Sequence, residues 1–176
     1  MAVVTTRRPA SNEYSPYHAD YVALVPDGDL IAALERNGRD TVELLRDLGE
    51  ERSGRRYAVG KWSIREVIGH MADAERVMSY RALCVARGDQ TNLPSFDEVA
   101  WGKVTNAHAR TLSALLADFQ AARAATLALF RGFGPEEIER VGTANGARVS
   151  VLGLMYVVAG HERHHVKILK ERYLNS

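Results

Sequence analysis

Apolar residues recur at helical spacing along four long stretches of the chain, with polar residues between them. At the first stretch, Asp29 is a typical N-cap residue. At the second, Ser63 and Glu66 have the spacing of a capping box, and Gly88 is a typical C-terminal stop. The pattern therefore predicts four long helices, over about 29–51, 63–87, 106–131 and 150–173.

The segments between these helices contain breakers and few strand signals. Residues 1–28 are predicted to be irregular, with tyrosines that could anchor the segment on the helices. Residues 88–104 are predicted to be a long crossover loop with a turn of helix. A helical turn is expected at 135–137, and a short hairpin near 141–149 is an alternative to a loop. The prediction is a single all-α domain over 1–176, built as a helical bundle.

The composition of the chain limits which partners it can bind and which cellular compartment it is expected in. The chain has 176 residues, a formal net charge of +1 and one cysteine, Cys84. Scattered basic residues leave no electrostatic footprint for nucleic acid or an anionic membrane. The N-terminus has no apolar run after its arginines, and the most apolar stretch, 149–160, is about half of the ~20 residues that a membrane span needs. These features predict a cytoplasmic protein without an intrachain disulfide.

Three histidines fall on the apolar faces of two predicted helices. His161 and His165 are four residues apart in the last helix, so their imidazoles are neighbours on its core-facing stripe. His70 lies on the apolar face of the second helix. A single inward histidine is usually a packed core residue, but three of them bring donors and acceptors that all need partners. Spacing alone leaves both interpretations open: packed core histidines, or a metal site inside the bundle.

Residues 161–165 also match the H-E-x-x-H pattern of zinc peptidases. Those enzymes take a third ligand from well downstream, but only eleven residues follow His165. The extended pattern needs Gly at 168 and His at 171, where this chain has Ile168 and Glu171. The spacing therefore excludes the peptidase interpretation.

The same residues carry a family resemblance. The stretch GKWSIREVIGHMAD at 60–73 resembles the second-helix signature of the DinB/YfiT-like superfamily, and GHERHH at 160–165 resembles its closing motif. The resemblance extends over about Tyr17 to Leu174. It implies an antiparallel four-helix bundle with a long crossover between the second and third helices.

The resemblance also implies a site and a chemistry. A divalent ion, Zn or Ni, would be held by His70, His161 and His165. Three protein ligands leave a position for water or substrate, which is typical of a catalytic rather than a structural site. Members of this superfamily include bacillithiol transferases and mycothiol-dependent isomerases, which implies a low-molecular-weight thiol as cosubstrate. A homodimer is also expected from relatives of this type.

Other polar residues are weaker candidates. Asp73 and Glu162 are the candidate catalytic bases. Asp73, one turn from His70, is either an acceptor for a metal-ligating imidazole or a salt-bridge residue, and Glu162 is otherwise a solvated carboxylate. His164 is expected to support the site or to pack. The remaining assignments are His18 and His108 at the surface, and Cys84 as a buried small hydrophobe.

Three functions follow as hypotheses. The first is a metal-dependent enzyme acting on a small molecule, in which the metal activates a thiol for attack on an electrophile. The second is a hydrolase that uses a metal-activated water. The third is a non-catalytic metal-binding or stress-responsive bundle. Substrate specificity is expected in the crossover, 88–104, because loops on a rigid scaffold usually carry it. The alternative is a simple connection that its aromatic residues pack onto the bundle.

Overall fold

The structure is a computed structural model that describes residues 7–174. Its helices are α1 (Ala19–Ala23), α2 (Leu30–Leu45), α3 (Gly49–Ser53), α4 (Ile64–Ala86), α5 (Glu98–Val104), α6 (Leu112–Arg131), α7 (Pro135–Glu139) and α8 (Val151–Ile168). Its strands are β1 (Asn92–Leu93), β2 (Val141–Ala144) and β3 (Ala147–Ser150). Single 3₁₀ turns occupy Pro16–His18 and Ala107–Ala109, and α8 continues as a π-helical segment, Leu169–Leu174.

Three of the four long helices begin where the sequence predicts. Ser63 and Glu66 form both hydrogen bonds of the capping box at the start of α4. Asp29 accepts a hydrogen bond from the backbone N–H of Ala32 at the start of α2, and Ser150 caps α8 in the same way. These side chains satisfy backbone donors that have no partner inside the helix. The four predicted helices are thus confirmed, and the protein is an all-α four-helix bundle.

Helices α4 and α6 run in the same direction. Near their starts, the Arg65 guanidinium donates to the carbonyl oxygen of Arg110, and beyond their ends Arg87 forms an ion pair with Glu137. Two successive long helices that run parallel cannot be joined by a short turn, because the chain between them must return along the full length of the bundle. The long crossover between them is the required connection.

Helices α2 and α8 run in the opposite direction. At the start of α4, Trp62 offers its carbonyl oxygen to the hydroxyl of Tyr173 from the last turn of the chain. At the start of α6, the Leu112 N–H donates to the carboxylate of Glu50, which follows α2. Helix α2 packs against α6 and α8, and α4 packs against the same two helices. Helices α2 and α4 are therefore diagonal in the bundle.

A small sheet closes one end of the bundle. β2 and β3 form the antiparallel hairpin that the sequence left as an alternative, and β1 from the crossover adds to β2 in parallel. The hairpin turns at Asn145 and Gly146, which both have positive φ. Asn-Gly is the preferred pair for such a turn, since both positions need a left-handed backbone. The sheet ties the crossover to the start of α8.

Two predicted helix boundaries were wrong. The helix expected over 29–51 ends at Leu45, and a separate helix, α3, begins at Gly49, whose φ is +71°. The helix expected from about 106 begins at Leu112, because the Thr111 side chain caps it by accepting from Ala114 N–H. The crossover contains β1 and α5 rather than a single turn of helix.

The N-terminal segment is more ordered than predicted. Residues 16–23 are helical, while residues 1–6 of the predicted irregular segment lie outside the described residues. The segment packs on α8 at two glycines. A Cβ built at Gly160 would lie 2.0 Å from the carbonyl oxygen of Tyr21, and one at Gly153 would lie 2.1 Å from that of Glu13. Only glycine allows the backbone this close.

None of the helices within residues 7–174 is long and apolar enough to cross a membrane. The core of the bundle lies between the four long helices and contains most of α8, whose residues from Val151 to Gly160 are all buried. The buried part of α8 leads directly into the histidine motif.

Candidate metal centre

Three histidine side chains converge from two antiparallel helices. His70 comes from the second turn of α4, and His161 and His165 come from successive turns of α8. The Nε2 atom of His161 lies 3.0 Å from the Nε2 atom of His70 and 3.0 Å from that of His165. One nitrogen from each of the three rings lies within 4.8 Å of the others.

The histidines are neutral at physiological pH. Burial lowers the pKa of His70 to about 4. Burial also lowers the pKa of His161 and His165 well below the usual range, and repulsion between the neighbouring rings adds to this effect. A neutral imidazole keeps a lone pair on one ring nitrogen, and that lone pair is what a metal ion requires.

The arrangement fits a cation better than a hydrogen-bonded cluster. A ring nitrogen carries either one N–H or one lone pair, so it makes one good hydrogen bond. The Nε2 atom of His161 has two nitrogen neighbours at 3.0 Å, so hydrogen bonding alone leaves one contact unsatisfied. Nitrogens bound tetrahedrally to zinc at about 2.0–2.1 Å stand about 3.3 Å apart. The observed spacing is close to that value.

Aromatic rings enclose the three histidines on two sides. The ring of Trp62 lies 4.7 Å from that of His70, and the ring of Tyr21 makes an edge contact with His161 at 5.4 Å. His164 is not part of the cluster; its ring contacts that of Tyr21 at 5.0 Å and that of His165 at 5.1 Å. It therefore packs beside the site, as predicted.

A cavity of about 280 Å³ adjoins the cluster. It lies between α4, α8, the N-terminal segment, the crossover and the hairpin. His70 and His161 line it together with apolar side chains such as Met78 and Val157. Its polar lining comes mainly from Tyr17, His18, Tyr21, Arg81, Ser95, Glu98 and Asn145. The site can therefore hold a small molecule next to the nitrogens of two histidines.

The two candidate bases lie elsewhere. Asp73 is half-buried, pairs with Arg76 at 3.6 Å and faces a separate surface groove. Its salt-bridge interpretation is the one that the structure shows. Glu162 is 2 % exposed, so the expectation of a solvated carboxylate was wrong. It accepts hydrogen bonds from Thr41 and Arg123, both at 2.7 Å, on the side of α8 away from the cavity.

Four cavity residues were not identified as site residues from the sequence. His18 was expected at the surface, but it lines the cavity, and burial lowers its pKa to about 4. Tyr21 was considered only among the tyrosines that could anchor the N-terminal segment, and Arg81 was not singled out. Glu98, in the first turn of α5, is the carboxylate that lines the cavity. Glu98 lies near the centre of the crossover, where substrate specificity was expected, and this position could have identified it as a site residue.

His108 and Cys84 lie away from the three histidines. His108 is exposed as predicted, with its Nε2 atom 3.3 Å from the hydroxyl of Ser63. Cys84 is half-buried against the core, so it is less enclosed than expected. Neither residue contributes to the candidate metal centre.

Comparison with known proteins agrees with this architecture. The family model of the DinB superfamily matches residues 33–169. A protein of Oceanobacillus iheyensis described as a putative metal-dependent hydrolase is 26 % identical over 138 residues, 76 % of this chain and 78 % of the relative. A protein of Bacillus licheniformis with the same description is 22 % identical over 126 residues, 70 % of this chain and 72 % of the relative.

Two solved structures have the same fold. YfiT from Bacillus subtilis, described as a probable metal-dependent hydrolase with an unusual four-helix bundle topology, aligns with a TM-score of 0.71 at 17 % identity. The alignment covers 96 % of this chain and 93 % of YfiT. A mycothiol-dependent maleylpyruvate isomerase aligns with a TM-score of 0.62 at 16 % identity, over 78 % of this chain and 58 % of the isomerase. The chain belongs to the DinB superfamily.

Proposed function

We propose that this member of the DinB superfamily is a divalent-metal-dependent enzyme that transfers a low-molecular-weight thiol to a small electrophile. The observation that carries the proposal is the convergence of three neutral imidazoles beside a cavity lined by two of them. His70, His161 and His165 would hold the ion, with zinc or nickel as the expected metals. When bound, such an ion lowers the pKa of a thiol or water in its open position.

Glu98 is the residue that would accept the proton. Its carboxylate lines the cavity with His70, and its charge acts to raise the pKa of that imidazole. The Tyr17 hydroxyl lies 3.5 Å from the Glu98 carboxylate, within reach of a weak hydrogen bond. A carboxylate within reach of the nucleophile is the usual form of a general base. This position favours Glu98 over Asp73 and Glu162.

The chain itself does not supply a reactive thiol at the site. Cys84 is the only cysteine in the sequence, and it lies fourteen residues beyond His70 on α4, about 21 Å along the helix. A thiol that reacts here would therefore be a cosubstrate. The fold shared with a mycothiol-dependent isomerase supports this choice of nucleophile.

Hydrolysis is the second candidate function. The descriptions of the two curated relatives and of YfiT support it. Glu98 could take a proton from water as well as from a thiol, because the same cavity position serves both. The two functions therefore share their site residues and differ in the nucleophile.

One experiment separates the candidates. Untagged protein would be loaded with zinc or nickel and assayed for conjugation of 1-chloro-2,4-dinitrobenzene to small thiols and for hydrolysis of 4-nitrophenyl acetate. Thiol conjugation that is lost in His70→Ala supports the transferase, and ester hydrolysis lost in the same variant supports the hydrolase. Bound metal without either activity would favour a non-catalytic binding protein, and no bound metal would contradict all three.

The role of Glu98 has its own test. Glu98→Gln is expected to lower the turnover rate by about 100-fold, the usual contribution of a general base, without changing the metal content. Glu136→Gln, in the exposed first turn of α7, is the matched control and should leave both unchanged. An active Glu98→Gln enzyme would exclude this carboxylate as the base.

A further inference from the structure

Arg81 is a buried cation without an acidic partner. It lies on α4 and is 5 % exposed. Its Nη2 atom donates to the carbonyl oxygen of Pro94 at 2.6 Å, its Nη1 atom contacts the Met78 sulfur at 3.5 Å, and its guanidinium lies 5.9 Å from the centre of the Phe96 ring. Within residues 7–174 no carboxylate lies within ion-pair distance of it.

The other buried charged side chains within residues 7–174 are paired. Arg123 binds two carboxylates, and Glu13 binds Arg7. A buried charge that lacks a partner is costly, since it loses its hydration without gaining an opposite charge. Burial accordingly lowers the pKa of Arg81. An anion that binds from solution would offset this cost.

The guanidinium is placed to receive such an anion. It lines the same cavity as His70 and His161. A guanidinium has five N–H donors, and the contacts to Pro94 and Met78 use two of them. Arg81 is eleven residues beyond His70, about 16 Å along the helix axis, and its contact with Met78 shows that the side chain leans back toward the histidines.

The cavity favours a single negative charge. Arg81 is the one Arg or Lys side chain among its described lining residues. Glu98 also lines the cavity, on the side of Tyr17. One planar guanidinium matches one carboxylate, which it can bind through two parallel hydrogen bonds. Apolar walls around it suit the carbon skeleton of a small acid.

We propose that Arg81 binds the carboxylate of a small organic acid at the end of the cavity remote from the three histidines. The proposal deepens the proposed function and rests on it for the assignment of that acid as a reactant. The carboxylate belongs either to the electrophile or to the thiol. Arg81 thus determines which small molecules are held with their reactive atom near the histidines.

Benzoate and its uncharged isostere benzamide are the probes. Their affinities would be measured by NMR titration of the full-length protein kept metal-free with a chelator, so that the carboxylate cannot bind a metal. Benzoate is expected to bind at least ten times more tightly than benzamide, and Arg81→Met is expected to abolish this preference. Arg81→Lys keeps the charge and should retain part of the preference, which guards against a misfolded Met variant.

Arg76→Met is the matched control. Arg76 lies on the same helix but is exposed and paired with Asp118, so its removal should leave benzoate binding unchanged. Equal affinity of wild type and Arg81→Met for benzoate, or equal affinity of wild type for benzoate and benzamide, would overturn the proposal.

A third variant separates this inference from the proposed function. Metal-free His70→Ala should still prefer benzoate, because Arg81 is intact. If the protein binds no metal and shows no turnover but keeps the Arg81-dependent preference, the proposed function fails and the carboxylate site stands. A preference that is lost in His70→Ala but kept in Arg81→Met would place the anion at the histidines and contradict the proposal.

Thiols of equal length identify the source of the carboxylate. With zinc-loaded protein, 6-mercaptohexanoate would be compared with 6-mercaptohexanol. A tighter acid whose advantage disappears in Arg81→Met assigns the carboxylate to the thiol cosubstrate. Equal binding of the two thiols, together with an Arg81-dependent benzoate site, assigns it to the electrophile.

Discussion

Glu162, the residue next to His161 of the candidate metal centre, forms a buried ion pair with Arg123. The guanidinium Nη1 atom of Arg123 lies 2.7 Å from the Glu162 carboxylate. The Nε and Nη2 atoms of the same guanidinium donate to the Glu75 carboxylate, each at 2.8 Å. All three side chains are 5 % exposed or less. The Thr41 hydroxyl donates to the same Glu162 carboxylate, so the pair joins α2, α4, α6 and α8 in the centre of the bundle.

Removing the cation of this network should destabilise the bundle strongly. In Arg123→Met, two carboxylates stay buried with no counter-charge, and breaking a buried pair in this way costs about 3–5 kcal/mol. The free energy of unfolding, measured by urea titration, should fall by that amount. Arg131→Met is the control, since Arg131 is on the same helix in an exposed pair with Glu35 that is worth less than about 1 kcal/mol. If both variants lose a similar amount of unfolding free energy, burial of the network is not the cause of the destabilisation in Arg123→Met.

The histidine motif gives a second prediction. In His165→Ala, zinc affinity should fall by at least about 100-fold, because loss of a ligand should cost at least as much as loss of an outer-shell partner. His164→Ala should keep its metal, because this ring contacts Tyr21 and lies outside the cluster. Zinc per chain after loading and desalting, measured by mass spectrometry, distinguishes the two. If His164→Ala loses the metal and His165→Ala retains it, His164 is the ligand and His165 is the packing residue, which contradicts the prediction.

The sequence predicted the parts of the fold that depend on local chemistry. Asp29, Ser63 and Glu66 lie next to the backbone groups that they satisfy, so their capping roles can be predicted from a few neighbouring residues. The convergence of the three histidines was likewise within reach. His161 and His165 share a helical face, and His70 lies on the apolar face of the other helix. The resemblance to the DinB family then implied that the three histidines form one site.

Interactions between distant segments were not predictable in the same way. Arg123 is 48 residues from Glu75 and 39 from Glu162, and a charged residue in a helix is ordinarily placed on the solvent side. Only the packing of α4, α6 and α8 brings these charges together. His18 was misplaced for the same reason: no periodic pattern in the N-terminal segment indicates that it folds over the cavity.

The N-terminal segment carries a pH-sensitive contact. Glu13 is buried, and its hydrogen bonds from Arg7 and from Ala10 N–H lower the pKa of its carboxyl from 4.5 to about 2. The unfolded state therefore binds the proton more readily, so the contribution of Glu13 to stability is complete above about pH 4.5 and is lost as the pH falls toward 2. Its size is at most about 3 kcal/mol, and less because Arg7 is partly exposed.

Glu13→Gln tests this sign. The variant should be less stable than wild type at pH 6, and the difference in unfolding free energy should shrink when both are compared at pH 3. Asp29→Asn is a suitable control for stability at pH 6, because asparagine also caps helices. A difference between wild type and Glu13→Gln that grows on acidification would contradict the lowered pKa.

Gly160 is the point at which the N-terminal segment is held against α8. In Gly160→Ala, the new methyl group would meet the carbonyl oxygen of Tyr21 at 2.0 Å, a contact that only movement of the backbone can relieve. We expect a loss of about 3 kcal/mol in unfolding free energy, in the range of overpacked sites. The displaced segment would lose its close packing on α8, so it should also become more susceptible to limited proteolysis. This segment includes Tyr21 and His18, which line the cavity.

Gly69→Ala is the matched control, because Gly69 is also inside a helix and is next to a histidine of the candidate metal centre, His70. The nearest atom to a Cβ at Gly69 is the Thr105 hydroxyl oxygen at 3.9 Å, an ordinary contact. Alanine there should be neutral or stabilise α4 by up to about 1 kcal/mol, since it has a higher helix propensity than glycine. If Gly160→Ala is tolerated as well as Gly69→Ala, with no new cleavage in the segment, the close packing of Tyr21 on α8 does not hold the segment over the cavity.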